Sequence, residues 1–179
     1  MLTSDLCSKL MDAISDAPDS ESALKRVDAF RLLLAGPGTF SIQLNVTTKS
    51  DSVNEILLQR YYSSNTNDFP VKGRKQKSLT LWTNTLFLKG QVFIAEGEKA
   101  LAETFDDYEL MRPLGLNSVI NVPMLKGSMC YATFNVFGTR GVWQAEEIAA
   151  VRLLALASER WVQPFNDLAY RFDEIAKIK

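Results

Sequence analysis

The sequence predicts an α+β fold, an antiparallel sheet with one apolar face and helices at both ends of the chain. Three observations carry this. Residues 114–137, LGLNSVINVPMLKGSMCYATFNVF, read as two strands joined by a tight turn, with Val and Ile in the first and aromatic and Thr residues in the second. Residues 40–48 alternate Phe40, Ile42, Leu44 and Val46 with Ser41, Gln43, Asn45 and Thr47, the period of a half-buried strand. Helical spacing marks both ends, through Leu2, Leu6, Leu10 and Ile14 early and Ile148, Val151, Leu154, Ala155 and Ser158 late.

In chain order, Pro18 ends the first helix, and Asp19 or Ser20 can cap a second whose stripe is Leu24, Val27, the stem of Arg31 and Leu34, with Phe30 alongside. Gly36-Pro37-Gly38 closes it before the strand at 40–48. Residues 49–51 form a turn, 55–63 the partner strand, and 63–70 a loop. The basic run at 71–77, with Lys72, Arg74, Lys75 and Lys77, lacks interleaved aromatics and reads as a solvated loop. Ser78 caps a short helix to Leu88, with Leu81, Trp82, Thr85 and Leu88 on its apolar side, and 91–94 is a brief strand. Residues 97–112 form one or two short helices with Leu101, Phe105, Tyr108 and Met111 inward. Their carboxylates, Asp106 and Asp107 included, read as caps and a solvated face rather than a cation site. After the hairpin, 143–161 is a long helix ended by Pro164. A further stripe, Phe165, Leu168, Phe172 and Ile175, predicts a terminal helix that pairs with the N-terminal one or with a second subunit.

The register of the 114–137 hairpin follows from how well it sorts side chains. A three-residue loop, Leu125-Lys126-Gly127, pairs Met124 with Ser128, Val122 with Cys130 and Ile120 with Ala132. One face is then apolar, with Ile120, Val122, Met124, Cys130, Ala132, Phe134 and Val136. The other mixes Asn121, Tyr131, Thr133 and Asn135 with apolar residues and suits a ligand pocket. A two-residue loop at Lys126-Gly127 shifts the parity and places Asn121 beside Phe134 and Val136, so the first register is preferred.

At 179 residues the chain is one domain with extensions. A net charge of −1 gives no reason to expect nucleic acid or an anionic membrane as partner. No apolar run approaches a membrane span, and the N-terminus has no secretory pattern, so a cytoplasmic protein is expected. The absence of histidine removes imidazole bases, Ser-His and Cys-His nucleophiles and His-ligated metals. Cys7 and Cys130 form no disulfide framework or thiolate metal site. No catalytic residue, metal or cofactor is expected on this inventory.

The ordered pieces Trp82 with its helix, FIAEGE, ETFDD (Phe105-Asp106-Asp107), LGLNSVINVPM, KGSMCYATFNVF and the Trp143-led final helix resemble a GAF domain over roughly residues 20–162. Ala132 stands where the family often has Gly, and the NKFDE-type signature of cyclic-nucleotide-binding members is missing. The resemblance implies a GAF-like (profilin/PAS-like) six-stranded antiparallel sheet, with N- and C-terminal helices on one face and short helices roofing a pocket on the other. It implies residues 19–162 as the domain, with helical extensions at 1–18 and 163–179. It further implies a sensory, non-catalytic module that binds an unknown small molecule through Trp82, Phe93, Phe105, Asn121, Tyr131, Thr133 and Asn135, and that dimerises through its terminal helices. A ligand-free interaction module is the alternative. A third possibility, a free methionine sulfoxide reductase of the same family, is disfavoured because Cys130 falls on the apolar face and Val119, Asn135 and Phe137 replace that group's acidic residues.

Overall fold

The computed structural model describes residues 3–52, 55–71 and 73–169. Six strands form one antiparallel sheet in the order β3-β2-β1-β6-β5-β4. They are β1 (Gly38–Asn45), β2 (Ile56–Ser63), β3 (Arg74–Lys77), β4 (Phe93–Glu96), β5 (Ser118–Lys126) and β6 (Met129–Gly138). The first and last strands of the chain's fold, β1 and β6, lie side by side at the centre, so the core is closed by a long-range pairing.

Three helices cover one face: α1 (Ser4–Ser15), α2 (Ser20–Ala35) and α6 (Ala145–Ser158). Thr3 caps α1, its Oγ1 accepting from Leu6 N at 3.2 Å, and Asp19 caps α2, its carboxylate accepting from Ser22 N at 2.7 Å. Leu10 and Ile14 of α1, Leu24 and Val27 of α2, and Val151 and Leu154 of α6 bury against Phe40, Ile42, Ile120 and Phe134 of the sheet. Leu10 and Ile14 of the α1 stripe are therefore covered within the chain. Phe40 and Phe134 meet with ring centroids 4.4 Å apart, and burying each such ring contributes about 1.5–3 kcal/mol.

The other face carries a roof of short segments. They are α3 (Leu81–Thr83) running into a wide π turn at Asn84–Leu88, α4 (Glu98–Thr104), and α5 (Tyr108–Met111) with a 3₁₀ turn at Arg112–Leu114. Trp82, Leu86, Phe87, Leu101, Phe105 and Met111 bury here against Val119, Phe93 and Phe137.

Several expectations are corrected. The hairpin loop is two residues, Gly127-Ser128, between the paired Lys126 and Met129, with Gly127 at φ 63° as a primed turn requires. The pairing then shifts between Met124 and Leu125, so that Tyr131 is an extra residue in β6, and Val122 pairs with Phe134 rather than Cys130. The bulge restores the expected sorting for residues 132–136 but reverses it for the two before them. Tyr131 joins the helix-side core and Cys130 the roof-side core, opposite to expectation. A second shift, opposite Ile42/Gln43, makes Tyr61 an extra residue in β2 and accounts for that strand's irregular pattern.

The basic run is also not a loop, because Arg74–Lys77 pairs with β2 as the sixth strand. Arg74 fastens it, donating to Val46 O at 2.8 Å and Asp51 Oδ2 at 2.7 Å. Thr80, not Ser78, caps the helix that follows, through a reciprocal box with Thr83. The π turn moves the buried side to Leu86 and Phe87 and leaves Leu81 74% exposed. Beyond the 3₁₀ turn Glu159–Trp161, residues 163–169 run as an irregular turn rather than a resumed helix, and Ala169 N donates to Thr47 O at 2.9 Å. Phe172 and Ile175 lie outside the described residues.

Gly138 ends β6 under the Trp143 ring, where an added Cβ falls 2.6 Å from the indole. Gly138→Ala is expected to destabilise the fold by about 1–3 kcal/mol through overpacking, read from urea denaturation midpoints.

Candidate ligand site between sheet and roof

The sheet's roof-side face is polar at its centre and apolar at its margins. On β1 the odd residues Thr39, Ser41 and Gln43 point away from the helices, because Phe40 and Ile42 are committed to the helix-side core. Asn121 of β5 and Asn135 of β6 are paired residues, and Ser41 pairs with Asn135 on the other side. Three adjacent strands thus bring their polar side chains together. They form the floor of a cavity of about 390 Å³, closed by Trp82, Phe105 and Met111 of the roof and by Phe69 and Phe137. That volume lies in the range of small-molecule sites.

The floor is wired to the roof. Trp82 Nε1 donates to Asn121 Oδ1 at 2.8 Å, Asn121 Nδ2 donates to Asn135 Oδ1 at 2.6 Å, and Asn135 Nδ2 donates to Thr133 O at 3.2 Å. Each member is buried, where an unmade bond costs the full desolvation of the group. Aromatic rings frame the space, with Trp82 and Phe105 edge-to-face at 6.2 Å, Phe105 and Phe137 at 5.5 Å, and Phe69 and Phe137 stacked at 6.5 Å.

The rim is charged. Lys75 Nζ lies 3.2 Å from Asp107 Oδ2, and Lys77 Nζ lies 3.7 Å from Asp106 Oδ2, joining β3 to the α4–α5 junction. Arg60 of β2 reaches the same space. Burial lowers the pKa of its guanidinium, and the nearby Asp107 charge partly opposes this.

Of the seven residues expected to bind a ligand, Trp82, Phe105, Asn121 and Asn135 line this cavity. Phe93 belongs to the roof-side core beside it without lining it. Thr133 is fully buried under the same face, its Oγ1 without a partner among the described residues. Tyr131 is corrected to the helix side, where burial pushes its phenol up to about 12. Sequence reasoning missed Thr39, Ser41 and Gln43, although the polar half of the 40–48 alternation marked the last two. Only the β1–β6 pairing places them beside Asn135. It also missed Arg60, hidden by the bulge, and the lysines of the basic run.

Cys130 is buried on the roof side but does not line the cavity, and its Sγ donates to Ala132 O at 3.2 Å. Burial raises its thiol from an ordinary 9.0 to about 12. A protonated, enclosed thiol is a poor nucleophile. Among the described residues no group of three or more Cys, Asp or Glu converges as a metal site.

No protein-family model matches the sequence, and no curated protein matches it. Solved structures match the fold. The GAF domain of a phosphoenolpyruvate-protein phosphotransferase from Coxiella burnetii aligns with a TM-score of 0.62 at 16% identity, over 96% of this chain and 95% of that one. The GAF domain of a two-component sensor histidine kinase from Bacillus halodurans aligns with a TM-score of 0.52 at 13% identity, over 89% of this chain and 95% of that one. The chromophore-binding domain of a bacteriophytochrome from R. palustris aligns with a TM-score of 0.60 at 9% identity over 87% of this chain, which spans only 59% of that structure. The chain has the fold of a GAF domain, as the resemblance in its sequence implied.

Two measurements check the site's internal chemistry. Asn121→Leu keeps the volume but strands Trp82 Nε1, and it is expected to cost about 1–3 kcal/mol in denaturant unfolding and to shift the indole emission. Cys7, partly exposed, is expected to react with iodoacetamide in the native state while Cys130 reacts only on unfolding, as peptide mass spectrometry would show. Because the Cys130 pKa is raised in the fold, its contribution to stability is full below 9.0 and is lost as pH climbs toward about 12.

Proposed function

We propose that the chain is a sensory GAF-type module that binds a small organic molecule in the cavity beneath its roof and performs no chemistry on it. The observation that carries the reading is the cavity itself. A polar floor from Ser41, Gln43, Asn121 and Asn135 lies inside aromatic walls, an arrangement suited to orienting a ligand rather than to filling a core. The fold is shared with domains of a sensor kinase, a chemotaxis protein and a phytochrome, which supports a signalling role.

The reductase alternative is weakened for a new reason. Cys130 is on the roof side after all, but it is off the cavity lining and its thiol is held protonated. Among the described residues no helix is long and apolar enough to cross a membrane.

Thermal-shift screening against amino acids, nucleotides, aromatic acids and their neutral analogues tests the proposal. A ligand present at a hundred times its Kd stabilises the fold by about 2.7 kcal/mol. The shift is expected to vanish in Ser41→Phe, which fills the floor of the cavity. A panel that shifts neither protein, or one that shifts both equally, overturns the reading.

A further inference from the structure

The cations around the cavity are not equivalent. Lys75 and Lys77 each face an aspartate across the rim, so the four charges cancel. Arg60 does not share in this: among the described residues no carboxylate stands within ion-pairing distance of it. Its Nη1 donates to Pro70 O at 3.1 Å, its guanidinium lies 5.5 Å from the Phe69 ring centre, and its buried Nε has no partner among the described residues. Among the described residues Nη2 has no acceptor. A half-buried guanidinium with one neutral acceptor and a ring beneath it is short of negative charge.

Resting on the cavity reading above, we infer that the site takes a small aromatic monocarboxylate, its carboxylate on the guanidinium of Arg60 and its ring among Trp82, Phe105 and Phe137. One uncommitted positive charge matches one negative charge. The planar fork of Arg matches a carboxylate better than a point charge would. The edge-to-face walls present ring edges and faces to a flat guest. Asp106 and Asp107 stand at the rim, where they repel polyanions such as nucleotides while the paired lysines shield a single charge. Burial already lowers the Arg60 pKa, and a bound carboxylate reverses that effect.

Isothermal titration of the full chain with benzoate and indole-3-carboxylate, their carboxamides, and AMP tests this. Saturable binding of at least one of the acids is expected, with its amide weaker by roughly 10- to 100-fold. Arg60→Gln should lose the acid by a similar factor, Arg60→Lys should recover part of it, and Asp107→Asn, which frees Lys75, should bind it more tightly. If Arg60→Gln does not fold, the acid–amide comparison and Asp107→Asn decide the matter. Equal binding of acid and amide, or tighter binding of AMP, overturns the carboxylate assignment while leaving the cavity reading intact. So does failure of both acids when another screened compound binds and Ser41→Phe blocks it. If nothing in either panel binds, both readings fall.

Discussion

The indole N–H of Trp82 donates to Asn121, Asn121 donates to Asn135, and the architecture of the roof-side face depends on this chain of bonds. Two amides placed opposite each other on central strands would be a liability under an apolar layer, since buried polar groups are stable only when paired. Their mutual bond satisfies part of each, and the indole satisfies more. That holds only if Trp82 stands at one place above the sheet, which the Thr80–Thr83 capping box and the π turn behind it arrange. A roof held by directed bonds to the floor keeps its distance from the sheet, and the cavity is what remains between them.

Two bulges decide which side chains face that cavity. Strand side chains alternate strictly, so one extra residue exchanges the faces for everything beyond it. The extra residue Tyr61 lets Tyr62 pack with Phe40 on the helix side while Arg60 turns to the cavity. The extra residue Tyr131 lets Ala132, Phe134 and Val136 serve the helix-side core while Cys130 turns under the roof. Both devices work by putting a large aromatic residue at an irregular position. The second also takes the thiol away from α1, α2 and α6 and places it under the roof without delivering it to the cavity.

The rim is held differently from the roof. The Lys77–Asp106 pair has a carboxylate 98% exposed, and Lys75–Asp107 is partly exposed, so each contributes no more than about 1 kcal/mol and weakens further with salt. The roof is secured by buried rings and the amide chain, whereas β3 is a four-residue edge strand closed by such ion pairs. The rim ion pairs are therefore weaker attachments than the buried contacts of the roof.

Local chemistry determined much of this protein from sequence alone. The caps Asp19 and Gly36, the strand at 40–48, the hairpin around Gly127 and the two faces of 132–136 were legible, because each rests on periodicity or turn stereochemistry within a few residues. Strand alternation and the family resemblance together marked Trp82, Phe105, Asn121 and Asn135 as residues facing the space between sheet and roof, and all four line the cavity there. The rest required tertiary structure. A basic run became an edge strand because β2 offered it hydrogen bonds, and neither its composition nor its period shows a partner fifteen or more residues away. Ser41 and Gln43 joined the site through the β1–β6 pairing, a contact spanning most of the chain. Tyr131 and Cys130 exchanged faces because of a bulge, which leaves the residue pattern unchanged and is settled only when a neighbouring strand sets the register.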